Sequence, residues 1–270
     1  MRFVTPFFLL LAILLAISTS TSGILQADEL EPFTPVDSAG VSASRGELTV
    51  ELKLTDVKLK TLNIPRLSAA LRNATWKGTK QSNISVRPEQ EYWIVKWSNR
   101  PEGADTIVMT FGSKPLLPSE TKPITSQTDG SYLLPAHMAT AKGEKIRYEP
   151  QSYKNTVGYW VGKNDFASWT INVETAGKFN VAILQGCGKG QGGSDARISI
   201  FSVESENANA VVDFQVLETG HFQNFQWRTI GVVDLDVGLQ ELKIEPTKLA
   251  NKALMDVRAV HLVRLPSPKK

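Results

Sequence analysis

ELTVELKL, residues 47–54, places Leu48, Val50, Leu52 and Leu54 at every second position, with polar or charged residues between them. Successive side chains of a strand point to opposite faces, so this period marks a half-buried strand. Ile84–Val86, Trp93–Trp97 and Thr106–Phe111 are likewise rich in β-branched and aromatic residues and are broken by Arg-Pro, Asn-Arg-Pro and Gly. Further strands are expected at Lys145–Tyr148, Ser168–Val173, Phe179–Leu184, Ala196–Val203, Val211–Val216, Ile230–Leu235, Glu241–Ile244 and Val257–Val263. No stretch has helical length and period, and Leu67–Leu71 offers one helical turn at most. Short strands punctuated by Gly, Asn and Asp turns define an all-β chain of antiparallel sandwiches.

Residues 113–130, SKPLLPSETKPITSQTDG, hold three prolines and no apolar period, and read as an extended connector. The expected organisation is therefore a small β-sandwich domain over 28–112, a linker over 113–140 and a second β-sandwich domain over 141–266. Hydrophobic residues at 41% and charged residues at 21% exclude a disordered chain and a polytopic membrane protein. The formal charge of +3 gives no basic surface for nucleic acid. One cysteine, Cys187, excludes an intrachain disulfide, and three histidines argue against a multi-imidazole metal site.

Arg2 followed by the eleven apolar residues Phe7–Ile17 and the small polar stretch Ser18–Gly23 reads as a secretory signal peptide within residues 1–27. Eleven residues are too few for a hydrocarbon core that takes about 20 helical residues to cross. The expected location is secreted, periplasmic or at the cell surface, with no membrane attachment after cleavage. Cys187 is expected to be buried or unreactive.

The candidate chemistry is sparse. GCGKGQGG, residues 186–193, lacks the Gly-Lys-Ser/Thr step into a helix that a phosphate loop needs, and reads as a Gly-rich hairpin turn. Ser194 and Ser199 lack a nucleophile elbow. Carboxylate pairs for glycoside cleavage are available in principle among Glu149, Asp165, Asp213, Glu218 and Asp256, yet spacing alone pairs none of them. Aromatics and amides are more informative: Tyr159, Trp160, Phe166 and Trp169 cluster in one segment, and Phe222, Phe225 and Trp227 alternate with Gln223, Asn224 and Gln226 in another. Sugar rings stack their C–H faces on aromatic planes and pair their hydroxyls with amides and carboxylates, so such loops suit a glycan. Trp169 begins an alternating strand and reads as core, whereas Tyr159, Trp160 and Phe222 stand beside Gly or His in expected loops.

VGYWVGKNDFASWTINVETAGKFNV (157–181) resembles the segment of family 6-type carbohydrate-binding modules in which a Gly-aromatic turn precedes an Asp-aromatic pair and a strand. TGHFQNFQWRTIGVVDLDVGLQELKI (219–244) is similar to that family's Thr-Gly-aromatic loop and two strands, and ALMDVRAVHLV closes like its last strand. A closer likeness is to accessory domains of secreted bacterial sulfatases and α-L-fucosidases. The resemblance covers roughly Lys145–Leu265 and implies a galactose-binding-like jelly roll that binds polysaccharide or other glycans without cleaving them. It carries the stacking aromatic onto Tyr159 or Trp160, the loop aromatic onto Phe222 and the hydrogen-bonding Asn of the last strand onto Asp256. Here Asp replaces Asn, which both donates and accepts, and Phe replaces Trp. The family's structural calcium ion, the one cofactor implied, falls on Glu149 in RYEP. The first half resembles the C-terminal sandwich of α-L-fucosidases through ATWKGTKQSNISVRPEQ and WSNRPEGADTIVMTFGSKP, and DGSYLLPAHMATAKGEKIRYEPQ resembles the joining segment. Signal cleavage after Gly23 or Ala27 leaves 247 or 243 of the 270 residues, with no space for a catalytic barrel. The expectation is a non-enzymatic, glycan-binding protein. The alternative is a protein-interaction sandwich that docks a separate hydrolase or sulfatase.

Overall fold

A computed structural model describes residues 29–36, 40–79, 83–205 and 207–266 of the chain, so the signal-peptide reading of 1–27 lies outside the described residues. The protein is all-β, with every strand pair antiparallel. The first strands are β1 (Glu31–Pro32), β2 (Val41–Arg45), β3 (Thr49–Leu54), β4 (Thr61–Pro65), β5 (Leu71–Trp76), β6 (Ile84–Pro88), β7 (Tyr92–Trp97) and β8 (Thr106–Phe111). They form a sheet in the order β1-β2-β3-β8-β5 and another in the order β4-β7-β6. Val50, Leu52 and Leu54 are buried as their period requires. Leu48 is not: it is 41% exposed, because the Gly46 N–H to Thr49 carbonyl bond of 2.9 Å places it in the β2–β3 turn, where turn geometry overrides the alternation. Between these sheets Trp76 meets Trp97 edge-on at 5.7 Å, and Trp93 stacks on Phe111 at 6.4 Å.

The later strands are β9 (Tyr132–Pro135), β10 (Thr140–Lys142), β11 (Arg147–Glu149), β12 (Thr156–Gly158), β13 (Phe166–Val173), β14 (Gly177–Gly186), β15 (Asp195–Ser202), β16 (Ala208–Gln215), β17 (Gln226–Leu235), β18 (Gly238–Lys248) and β19 (Asp256–Arg264). One sheet runs β10-β13-β18-β15-β16 and the other β11-β12-β19-β14-β17, with β9 added against β19. The chain crosses repeatedly from one sheet to the other, as in a jelly roll, and Val181, Ile183, Ile198, Ile200, Leu242, Ile244, Val260 and Leu262 fill the core. Trp169 belongs to that core, with its indole N–H donating to Pro135 O at 2.9 Å.

Residues 186–193 are not a hairpin turn: β14 and β15 lie in different sheets, so the Gly-rich segment is a crossover, tied to 216–220 by Lys189 N–H to Gly220 O and Gly193 N–H to Val216 O. Leu67–Leu71 makes no helical turn; it bends at Ser68 and Ala69 before entering β5, with Ser68 N–H bonded to Leu116 O at 2.7 Å and Gly112 N–H to Ala70 O at 2.9 Å. Residues 113–140 are not linker throughout, since β9 within them pairs with β19.

The two sets of sheets touch through specific bonds. Arg66 is buried and donates to the carbonyls of His137 (3.2 Å) and Ala139 (2.8 Å). Leu71 N–H bonds to Pro150 O, Ser152 N–H to Leu71 O, and Gln90 Nε2 to the carbonyls of Gly143 and Ile146. Trp93 packs on Tyr148 at 6.4 Å, so β11 is held by residues of the first set on both sides. Among the described residues no helix is long and apolar enough to cross a membrane.

Candidate functional site

Strand pairing builds one pocket from distant residues. Gly186 ends β14 opposite Asp256, which begins β19, and Gly158 ends β12 one step beyond the Val157–Val257 pair. β11 lies beyond β12 and carries Glu149. A side chain at Gly158 has no room, since its Cβ would come within 2.7 Å of Glu149 Oε1 and 2.8 Å of Asp256 Oδ1. The two carboxyl groups therefore flank one point of backbone. The tight turn after β11 brings up Lys154, which forms an ion pair with Glu149. Tyr159 and Trp160 follow Gly158, and the 219–225 loop supplies Phe222 and Gln223. The resulting pocket has a volume of about 230 Å³.

Tyr159, Trp160, Phe222, Asp256 and Glu149 all line this pocket, although they are spread over more than a hundred positions of sequence. Their roles differ. Tyr159 is 45% exposed and adopts φ +57, a left-handed conformation that costs a non-glycine residue on the order of 1 kcal/mol or more and that sites often retain. One face of its ring is covered by the Arg147 guanidinium at 3.5 Å. Trp160 is fully buried, which corrects its assignment as a stacking platform: its indole N–H donates to Asp165 O at 3.0 Å, and its ring forms wall rather than surface. Phe222 is half-buried, with its ring edge lying against Gly188. A Cβ at Gly186 would overlap the Phe222 carbonyl oxygen, so glycine there permits the loop's close approach. Within the loop, Asn224 Nδ2 donates to Thr219 O at 2.6 Å and Gln223 N–H to His221 Nδ1 at 3.1 Å.

Asp256 is buried, and desolvation together with the neighbouring charge of Glu149 pushes its pKa well above the ordinary carboxylate value, against a smaller opposing pull from Lys154. A protonated Asp256 donates through its hydroxyl and accepts through its carbonyl. It thus recovers the donor-and-acceptor character that replacing Asn with an ionised Asp would lose. Burial lowers the pKa of Lys154, but the hydrogen bond and charge of Glu149 outweigh it, and the ammonium ends above its usual value. Glu149 as a calcium ligand does not fit this arrangement, because its carboxylate already holds the ammonium that a cation would have to displace. Among the described residues no group of three or more His, Cys, Asp or Glu is placed to hold a metal ion.

The other candidate acids are engaged elsewhere. Asp165 is buried and accepts from the backbone N–H groups of Glu144, Val161 and Gly162, tying the 159–165 loop. Asp213 pairs with Arg197 at 2.7 Å on the surface, and Glu218 accepts from Gly190 N–H at 2.6 Å. Trp227 stands outside the pocket on β17, half exposed. Phe225 stacks on Arg258 at 3.8 Å, and Arg258 Nη2 also donates to the carbonyls of Tyr153 and Lys154, joining the two loops that carry Phe222 and Lys154. Lys154, Arg147 and Arg258 had no sequence signal, since each matters only through a partner far along the chain.

No family model matches the chain, and no curated protein matches it. Solved structures of similar outline include a family 35 carbohydrate-binding module from Clostridium thermocellum, with 13% identity, 48% of this chain and 97% of that one covered, and a TM-score of 0.41. They also include an α-L-fucosidase from Vibrio sp. strain EJY3, with 10% identity, 86% and 41% covered, and a TM-score of 0.34. A third is the isomalto-dextranase of Arthrobacter globiformis T6 complexed with panose, with 14% identity, 83% and 36% covered, and a TM-score of 0.40. The chain spans well under half the length of the latter two. At these scores and identities the likeness carries no conclusion about what the chain binds. The family 6 resemblance rests on the sequence motifs alone. Fold and site define an all-β sandwich protein with a small aromatic and carboxyl-lined pocket at the edge of its second pair of sheets.

Proposed function

We propose that the protein is an exported, non-catalytic carbohydrate-binding protein whose site is the pocket between Tyr159, Phe222, Glu149 and Asp256. The observation that carries this reading is the convergence of an exposed aromatic ring and a half-buried one on the buried Asp256 carboxyl, the ion-paired Glu149 carboxylate and the Gln223 amide. A sugar ring offers matching C–H faces and hydroxyls that donate and accept. The exposed face of Tyr159 and the Phe222 ring supply the stacking surfaces, Asp256 donates to and accepts from a hydroxyl, and Lys154 orients Glu149. The site takes one or two sugar rings, so the expected dissociation constant is on the order of 10 μM to 1 mM. The family 6 resemblance supports the same assignment.

The test is a glycan array with the protein lacking residues 1–27, beside the Tyr159→Ala and Phe222→Ala variants. Selective binding that both variants lose while keeping the wild-type melting curve, with no reducing sugar released from the bound glycan, is the expected result. A folded protein that binds no glycan removes the reading and leaves a scaffold that docks a separate hydrolase or sulfatase.

A further inference from the structure

Arg147 lines a second cavity and stacks on a residue of the first pocket. One side of its guanidinium lies on the Tyr159 ring at 3.5 Å, and the same side chain lines a second cavity of about 480 Å³ where the two sets of sheets meet. The β6–β7 turn supplies Glu89 and Glu91 to that cavity, the start of β7 supplies Tyr92, and the segment leading into β11 supplies Glu144 and Lys145. The Arg147–Tyr159 stack thus joins a lining residue of each cavity.

We infer that this second cavity is a further subsite for the same ligand, so that the site recognises a neutral oligosaccharide chain running from the pocket, past Tyr159, onto the first sandwich at Tyr92. The inference rests on the carbohydrate-binding reading of the pocket. Four observations support it. Tyr92 is 40% exposed at the start of β7 and offers the cavity an aromatic face. Among the described residues the polar partners of the Arg147 guanidinium, the Lys145 carbonyl at 3.4 Å and Glu89 at 3.9 Å, both sit on Nη1, which leaves Nη2 to donate to a hydroxyl. The cleft is rigid, because Gln90 Nε2 bonds at 3.1 Å to the carbonyls of both Gly143 and Ile146 and so pins the β6–β7 turn to the opposite wall. Finally, the charges are mixed: three glutamates face one lysine and one arginine. Carboxylates accept from hydroxyls but repel a sulfate or uronate, so the sugar in this cavity carries no negative charge.

The experiment is calorimetric titration with neutral cello-, xylo- and manno-oligosaccharide ladders of one to six residues, and with uronate and sulfated ladders of the same lengths, against the wild type, Tyr92→Ala and Tyr159→Ala. In a ladder that binds, wild-type affinity is expected to rise with length beyond the rung that fills the pocket. Tyr92→Ala should lower the affinity of the long rungs by about three- to tenfold and leave the shortest binding rung unchanged. Tyr159→Ala should weaken every rung. Affinity independent of length, with Tyr92→Ala without effect while Tyr159→Ala still weakens binding, overturns the subsite and leaves the pocket reading standing. Binding that grows with length for uronate or sulfated oligomers but not for neutral ones overturns the neutral assignment. No binding by any rung in any ladder overturns the neutral-chain subsite, while the pocket reading itself stands or falls on the glycan array.

Discussion

Replacing Asp256 by asparagine is expected to stabilise the protein at neutral pH and to leave its stability nearly unchanged near pH 3. Asp256 is 5% exposed and faces Glu149, so burial and that charge hold its proton on in the folded state. The unfolded chain releases the same proton near the ordinary value of about 3.9. Between those two pKa values the unfolded state binds fewer protons than the folded state. Stability therefore falls as pH rises through this window, by up to about 1.4 kcal/mol per pH unit for one group. Above the folded-state pKa the loss is complete and constant. Asparagine has the same shape, donates and accepts, and carries no proton to lose. The variant should thus gain about 3–5 °C in melting temperature over the wild type for each pH unit the window spans, taking about 2–4 °C per kcal/mol for a chain of this size. Melting curves of both proteins from pH 3 to pH 9 measure the difference, and the pH where it stops growing reports the folded-state pKa. Glycan affinity of the wild type should fall over the same upper range while that of Asp256→Asn stays level. A difference in melting temperature equal at pH 3 and pH 8 would refute the assignment of a raised pKa, and with it the donor role of Asp256.

Lys154→Met leaves the nearly buried Glu149 without its cation and is expected to cost about 3–5 kcal/mol in urea unfolding, most of it recovered in the Lys154→Met, Glu149→Gln double variant. Trp160→Ala removes a fully buried ring and should cost about 3–5 kcal/mol, whereas Trp160→Phe, which loses chiefly the indole bond to Asp165 O, should cost nearer about 1 kcal/mol in the same assay. A platform open to solvent would lose far less than this on truncation. Cys187 is buried, and desolvation first, then the charges of Glu218 and Asp256, push its thiol up to about 11. It should stay unreactive toward a thiol-specific disulfide reagent at pH 8 until the chain is unfolded, and prompt reaction of the native protein would contradict that burial.

The all-β class was legible in the amino-acid order alone, because period-two patterns such as Val50, Leu52 and Leu54 are local and a half-buried strand requires them. That order also nominated Tyr159, Phe222, Glu149 and Asp256, through loop aromatics and motif resemblance. Short strands with little apolar pattern, such as β2 (VSASR) and β10 (TAK), were not legible, since pairing rather than composition makes them strands. The fate of Trp160 was not legible either: a tryptophan after a Gly-Tyr turn reads the same whether it faces solvent or Asp165 O. Folding in three dimensions set the crossing of 186–193 between sheets, the pairing of Lys154 with Glu149, and the burial of Asp256 beside that carboxylate. Each depends on residues far apart in the chain, and pairing, desolvation and charge coupling act through space, where a one-dimensional pattern carries no distance.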